Sequence, residues 1–445
     1  MRRSFLPWIV ISVPAVSRRP ASPRLLAAVL VFLAVQSTAV ASLGTPLLPT
    51  VQRVERVSLT ASQWTLTITL LAGAVATPLM GRLGDGRLRR LTTVGAVAVM
   101  LAGCVLSALP AGFPAFLAGR VLQGAGLGLV PLVGLLAQGL GLYAPFWFAA
   151  GLSALALAAA LIALPDSPAR PARVDVTGAV LLGAGIAGLL LVLAQGPAWG
   201  WTSAATLAGA VTSVALLAVW IGWEQRVRHP LIELRLLGRR PVLAANLTVF
   251  LIAVGFYPLM SLVVRFAQTP PAAGYGLDAP VVVAAAMLTP FSLASFAASR
   301  LAARAARRTS AEFVVAASCV LLIVSMVLFL VARDSYPGLV AVMAVSGLGV
   351  GSAYAVNPLQ ITAGVPASET GSAISFYQLV RTVAYAIASA LSATVLVLST
   401  PAGGRFLADA GYSVAAGICI VVLVAALTVS VVFVMRRPVL GRKRA

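Results

Sequence analysis

Runs of apolar residues long enough to cross a bilayer recur along the whole chain, near 25–48, 64–83, 91–110, 113–132, 144–164, 176–195, 203–223, 242–264, 280–298, 312–332, 338–358, 374–398 and 413–435. A helix advances about 1.5 Å per residue, so about 20 mostly apolar residues span the roughly 30 Å hydrocarbon core. Short connections rich in Pro, Gly and Arg join the runs. In lipid every backbone polar group must be satisfied within the segment, which leaves the helix as the only form for such runs. The expected fold is an all-α membrane protein, a polytopic helical bundle of about thirteen transmembrane helices. Composition agrees: 60% of residues are hydrophobic, 10% are charged and mean hydropathy is +1.01, against about 45–50% apolar and about 25% charged in soluble domains.

A formal net charge of +21 would suggest a nucleic-acid partner in a soluble chain. Here the arginines sit between apolar runs, and no basic surface interleaved with aromatics is left to form a groove, so nucleic acid is set aside. Lys443 is the only lysine. Cys104, Cys319 and Cys419 lie widely spaced inside apolar runs and read as small buried hydrophobes, with no disulfide frame or metal site. The segment FLPWIVISVPAV (5–16) is too short to span and has no A-x-A-like cleavage site, so a surface-lying leader or a misassigned start is expected there.

The arginines also report topology. If the N-terminus and the loops at 82–90, 165–175, 224–241, 299–311, 359–373 and 436–445 face the cytoplasm, they hold 25 Arg/Lys and the opposite loops hold 5, namely Arg53, Arg56, Arg265, Arg333 and Arg405. That asymmetry is what the positive-inside rule expects. Thirteen strictly alternating spans cannot deliver it, because they place 12 basic residues inside and 18 outside. A crossing is therefore missing. The only spare chain, roughly 133–142, would rise about 15 Å as a helix, enough for a half-helix or a re-entrant turn.

The two ends of the chain echo each other. QGAGLGLVPL (123–132) is similar to SGLGVGSAYAVNPL (346–359), and GRLGDGRLRRL (81–91) to SRLAARAARRT (299–309). Parallel repeats about an axis along the membrane normal are one plan for secondary transporters. The pairs Gly124/Gly128 and Gly347/Gly351 have the small-xxx-small spacing that lets helix backbones approach closely.

Six motifs then carry a family resemblance, covering about 25–436. GRLGDGRLRR (81–90) resembles the loop between the second and third helices of the major facilitator superfamily. FLAGRVLQGAGLGLVPL (116–132) resembles its fourth-helix signature, with Arg120, Gln123 and Gly124 in place. VDVTG (174–178), WGW (199–201) and HPLIELRLL (229–237) resemble the two extra central helices and following loop of the fourteen-helix drug:proton antiporter branch. ETGSAISFYQLVRTV (369–383) resembles its penultimate helix. The resemblance implies a major facilitator fold with two pseudo-symmetric halves and two extra central helices. It divides the chain into a leader (1–23), an incomplete first half (24–164), two linker helices with their loop (165–240), a second half (241–436) and a basic tail (437–445).

The sequence departs from that pattern at three points. The fifth helix and its glycine-proline antiporter signature are absent, with the gap near 132–134, where the charge count also requires it. Gln36 stands where many relatives carry an aspartate. Ala384-Tyr385 stands where relatives usually show paired glycines, which puts close packing of that helix in question.

The resemblance assigns Gly81, Arg82, Asp85, Gly86, Arg87, Arg89 and Arg90 to a cytoplasmic gating loop. Glycines permit the tight turn, arginines hold it inside, and Asp85 pairs with helix ends as a latch. All eleven acidic residues fall in loops or at helix ends, and Asp175 and Glu224 are the nearest substitutes for a buried carboxylate. A mid-membrane carboxylate to exchange a proton for a cationic drug is missing. An arginine at a helix centre costs roughly 2.5–3.5 kcal/mol on insertion scales, so Arg120 should face protein or water. The resemblance gives it a role in proton coupling or in the central cavity, and hydrogen bonding to nearby carbonyls is the alternative. Arg381 lies nearer a helix end, either functional or snorkelling. Gln36, Gln123, Asn246, Tyr257, Asn357, Gln378 and Tyr385 are either cavity lining or interhelical hydrogen bonds. His229 reads as structural.

No P-loop, nucleotide fingerprint, metal cluster or nucleophile constellation is present, so neither an enzyme nor a cofactor is expected. The expectation is a monomeric secondary transporter of the cell membrane with cytoplasmic termini. It would export small amphipathic molecules, neutral or anionic, by alternating access on a proton gradient. The rivals are a non-transporting remnant whose first half cannot close and, more remotely, a membrane-embedded enzyme.

Overall fold

The computed structural model describes residues 89–124, 143–164, 173–227, 230–366, 369–399 and 407–435, with Ile9, Val10 and scattered positions between 22 and 77. The protein is an all-α membrane protein. Among the described residues the only strands are the two-residue pair β1 (Ile9–Val10) and β2 (Arg173–Val174), antiparallel with Ile9 opposite Val174. The rest of the expected leader at 5–16 lies outside the described residues, as do 125–142 and with them the expected gap. Nine helices among the described residues are long and apolar enough to cross a membrane. The chain divides into two compact units, residues 1–234 with 367–379 and residues 235–366 with 380–445.

In the first unit, α1 (Arg89–Ala108), α2 (Phe113–Gln123) and α3 (Ala144–Ala163) pack around Met100, Cys104, Phe116, Phe146 and Ala150. Phe116 meets Phe146 edge to face, with centroids 5.1 Å apart. Contact between α1 and α2 depends on Gly103: a Cβ there would lie 2.8 Å from the Gly119 carbonyl oxygen and 2.8 Å from Leu122 Cβ. Helices α4 (Val176–Trp199) and α5 (Ala204–Glu224) form a hairpin. It turns at Gly200, whose φ of 85° disfavours any residue with a Cβ. Ser203 then caps α5 by accepting from the Thr206 N–H at 3.2 Å. Leu207, Val211, Val214 and Val219 of α5 are each more than half exposed, an apolar face that lipid covers.

Both substitute carboxylates have structural work in this hairpin. Asp175 caps α4 through the Gly178 N–H at 2.9 Å and accepts the Trp223 indole N–H at 2.8 Å. Glu224 accepts the Ile232 N–H at 2.6 Å, which docks the following loop with Leu231 and Ile232 buried.

The second unit holds a short turn α6 (Leu234–Leu237), then α7 (Arg240–Phe256) and α8 (Pro258–Gln268). The span expected at 242–264 is present as one apolar stretch, Arg240–Gln268, in which the helix is interrupted only at Tyr257, whose backbone stays in the helical region. Pro258 brings no N–H and its ring crowds the preceding turn. After α9 (Val281–Ala286), α10 runs from Leu288 to Arg308. The loop expected at 299–311 is therefore largely helix. Its alanines favour helix, and its long arginine side chains can reach the interface from helical positions. Helices α11 (Ala311–Ala332), α12 (Tyr336–Gly364), α13 (Thr370–Leu398), whose residues up to Leu379 belong to the first unit, and α14 (Asp409–Met435) follow. Gly347 and Gly351 set α12 directly on the α10 backbone at Phe291 and Ser295, where a Cβ would collide. Ala384 is fully buried among Ala253 and Val254 of α7, so alanine sustains the packing expected of glycine. Cys104, Cys319 and Cys419 are buried free thiols.

Candidate functional site

Two polar constellations lie inside apolar helices, one in each unit. The first is centred on Arg120, which is fully buried in the last turn of α2. Its Nε donates to the Thr65 carbonyl at 3.1 Å and its Nη1 to Gln123 Oε1 at 2.7 Å. Gln123 lies three residues on, hence on the same helix face. Its Nε2 donates to the Gly103 carbonyl and to Ser107 Oγ, both at 2.9 Å. Thr69 Oγ1 donates to the Arg120 carbonyl at 3.1 Å, and the Phe146 ring lies 5.9 Å from the guanidinium. Gly124 packs on the turn formed by Thr69, Ala72 and Gly73. The carbonyl bonding that the sequence left as an alternative is therefore present. It is incomplete, because Arg120 Nη2 is buried without a hydrogen-bond partner. An unmet donor on a buried charge costs more than the 1–3 kcal/mol typical of neutral groups. Any acceptor that reaches Nη2 recovers that loss.

The second constellation lies on α7, α12 and α13. Tyr257 and Tyr385 stack with centroids 4.4 Å apart and planes 23° from parallel. Tyr385 Oη donates to Tyr354 Oη at 2.9 Å. The Arg381 guanidinium sits 4.9 Å from the Tyr354 ring centroid and 6.0 Å from that of Tyr385. All four side chains are partly exposed. Asn357, one turn beyond Tyr354 on α12, is fully buried with neither amide atom hydrogen-bonded. Asn246 on α7 donates to the Val242 carbonyl at 2.9 Å, and its Oδ1 is buried without a partner.

The structure thus brings Tyr257, Tyr385 and Arg381 together and adds Tyr354, which the sequence reading did not single out. Its only signal was a place three residues before Asn357 on a glycine-rich helix. Gln378 lies on α13 one turn before Arg381. Of the proposed gating loop, Arg89 and Arg90 open α1, and Arg90 Nη2 donates to the Leu161 carbonyl near the end of α3 at 2.9 Å. Gly81, Arg82, Asp85, Gly86 and Arg87 lie outside the described residues, as do Gln36 and His229.

Away from these sites, Glu55 accepts the Tyr143 phenol at 2.8 Å. Burial, then the bond to Glu55 and its charge, push that phenol up to about 12. Arg333 pairs with Asp409 at 2.8 Å and donates to Ser413 at 3.0 Å, over the rings of Phe266 and Phe329. No cluster of three or more His, Cys, Asp or Glu side chains that could hold a metal occurs among the described residues.

Comparison with known proteins agrees with this architecture. A multidrug resistance protein B homolog of Mycobacterium tuberculosis is 29% identical over 246 residues, covering 46% of this chain and 45% of its own length. The tetracenomycin C resistance and export protein of Streptomyces glaucescens is 30% identical over 246 residues, covering 47% and 46%. A probable actinorhodin transporter of Streptomyces coelicolor is 33% identical over 242 residues, covering 44% and 41%. The chain thus spans less than half the length of these relatives. Among solved structures, the human organic anion transporter superposes with a TM-score of 0.61 at 16% identity, over 93% of this chain and all of that one. A POT family transporter gives 0.58 at 16% identity, over 94% and all of its length. At such identity the likeness is one of fold. The family model described as Major Facilitator Superfamily matches residues 25–131 and 128–389. With its helical fold and this match over most of its length, the chain belongs to the Major Facilitator Superfamily.

Proposed function

We propose that the chain is a secondary active exporter of small amphipathic molecules, drugs and antibiotics among them, in the fourteen-helix drug:proton antiporter branch. It works in the cell membrane as a monomer with cytoplasmic termini, by alternating access driven by the proton gradient. The observation that carries this reading is the Arg120 network: a cation without a single water-facing atom, held on three sides and left with one unmet donor. An arginine at such depth is costly unless function uses it. Its guanidinium does not itself release a proton at physiological pH. Arg120 therefore acts as the fixed charge, and its free Nη2 is met by substrate in one state of the cycle and by water in another. The multidrug and antibiotic-export names of the relatives support the substrate class. The gating loop at 81–90 completes the proposal, with Asp85 latching the cytoplasmic end.

The test is accumulation of tetracenomycin C in cells expressing the full chain, an Arg120→Ala variant or an empty vector. Lower accumulation with the full chain, lost in Arg120→Ala and lost on adding a protonophore, supports export. Accumulation equal to the empty vector, from a chain shown to reach the membrane, supports the non-transporting remnant.

A further inference from the structure

We infer that the outer face of α10 binds an anionic phospholipid, its phosphate held among Arg300, Arg304, Arg307 and Arg308 and an acyl chain lying on Leu293 and Phe296. The inference stands independently of the export reading and needs only that α10 meets lipid.

The placement of residues around this one helix leads there. At about 100° per residue, positions 293, 296, 300, 304, 307 and 308 fall within about 120° of arc, and positions 291, 295, 298 and 302 lie on the opposite side. The opposite side faces inward. Gly347 and Gly351 of α12 pack on the backbone at Phe291 and Ser295, and Ala298 and Ala302 are buried. The outer arc is open: Leu293 is 67% exposed, Phe296 is 56% exposed, and all four arginines are exposed. Along the axis the arc is first apolar and then basic. Arg300 follows Leu293 by about 10 Å, and Arg308 lies about 12 Å further on. An acyl chain and its headgroup come in the same order from the bilayer centre outward.

Charge selects the kind of lipid. No aspartate or glutamate occurs between Asp278 and Glu312. Among the described residues no carboxylate pairs with any of the four guanidiniums. The Arg300 guanidinium lies 4.4 Å from the Phe296 ring centroid, which leaves its in-plane N–H edge for phosphate oxygens. Two simpler explanations account for less. The helix macrodipole favours cations in the last turn, which covers Arg307 and Arg308 but not Arg300 and Arg304. Retention of the helix end on one side of the membrane asks for arginines on any face, not for four on one. A water-soluble phosphate has no use for Leu293 and Phe296, whereas a phospholipid meets both halves of the arc.

The test uses the purified full-length protein in phosphatidylcholine nanodiscs with a trace of a photoactivatable lipid, reactive from one acyl chain, as either phosphatidylglycerol or phosphatidylcholine. Labelled peptides are mapped by mass spectrometry after illumination. At roughly fivefold per arginine near a charged headgroup, the phosphatidylglycerol probe should label 288–299 about tenfold more than the phosphatidylcholine probe. The face of α5 that carries Leu207, Val211 and Val214 is exposed and has no basic residue from 204 to 224, so both probes should label it equally. Arg300→Gln with Arg304→Gln should bring the α10 ratio down to that of α5. Arg226→Gln with Arg265→Gln removes the same charge from two other exposed positions and should leave the ratio unchanged. If the α10 variant does not fold, added salt should lower the ratio in the parent by screening.

Equal labelling of α10 by the two probes, an equal phosphatidylglycerol preference at α5, or a preference that survives both Arg300→Gln with Arg304→Gln and added salt overturns the inference. So does loss of the preference on adding excess glycerol phosphate, which would mark a site for free phosphate.

Discussion

Replacing Gln123 with leucine isolates the energetics of the buried cation. The substitution keeps a side chain of similar volume in a well-packed place but removes the acceptor that Arg120 Nη1 reaches at 2.7 Å, and the two donations from Nε2 at 2.9 Å. A charge-assisted bond of this kind contributes about 1.5–3 kcal/mol and each neutral one about 0.5–1.5 kcal/mol. The loss is then about 4 kcal/mol, with two of the three Arg120 side-chain nitrogens left unmet. At about 2 °C per kcal/mol for units of this size, unfolding should move down by about 8 °C. The three free thiols give a natural readout, since all are buried and react with a thiol-sensitive dye only on unfolding. In a double-mutant cycle, Arg120→Leu with Gln123→Leu removes both partners. It should be less destabilised than the sum of the single variants by about 1.5–3 kcal/mol. A Gln123→Leu protein that unfolds within 2 °C of the parent, or strict additivity in the cycle, would refute the reasoning.

Three further outcomes follow from the geometry. Gly351→Leu drives a side chain into the α10 backbone at Ser295, so folded, monodisperse protein should be lost on size-exclusion chromatography, while Gly222→Leu, with open space around it, should leave the yield unchanged. Arg333→Ala and Asp409→Ala should couple by about 1 kcal/mol in the dye assay, a modest value because the Asp409 side chain is 46% exposed; zero coupling would make the pair incidental. The Tyr143 phenol, raised to about 12 in the fold from an ordinary value near 10, contributes stability that is fully present below pH 10 and lost as pH rises through 12; the unfolding difference between parent and Tyr143→Phe should be flat up to pH 10, and a difference already gone at pH 9 would contradict the assignment.

Hydropathy located most helices within a few residues, as for α4, α5, α11 and α14, because lipid-facing positions must be apolar on every side. It failed where the helix outlasts its apolar stretch. Helix α10 continues through Arg300, Arg304 and Arg308 beyond the run that ends near 298, since alanine-rich basic turns remain good helix. The same divide holds in the sites. The pairing of Arg120 with Gln123 follows from a spacing of three, and that of Arg381 with Tyr385 from a spacing of four. The Thr65 carbonyl, the Tyr257–Tyr385 stack and the whole part of Tyr354 depend on how separate helices are rotated about their axes, and no spacing along one helix records that.

The claim of proton-driven export is tested most directly with the purified chain in liposomes that enclose a pH-sensitive dye. The account predicts that adding tetracenomycin C outside starts proton movement through the membrane, that an imposed pH gradient drives its accumulation, and that Arg120→Ala abolishes both. Proton movement no faster than in protein-free liposomes, with no gradient-dependent accumulation of the compound by correctly folded protein, would contradict it.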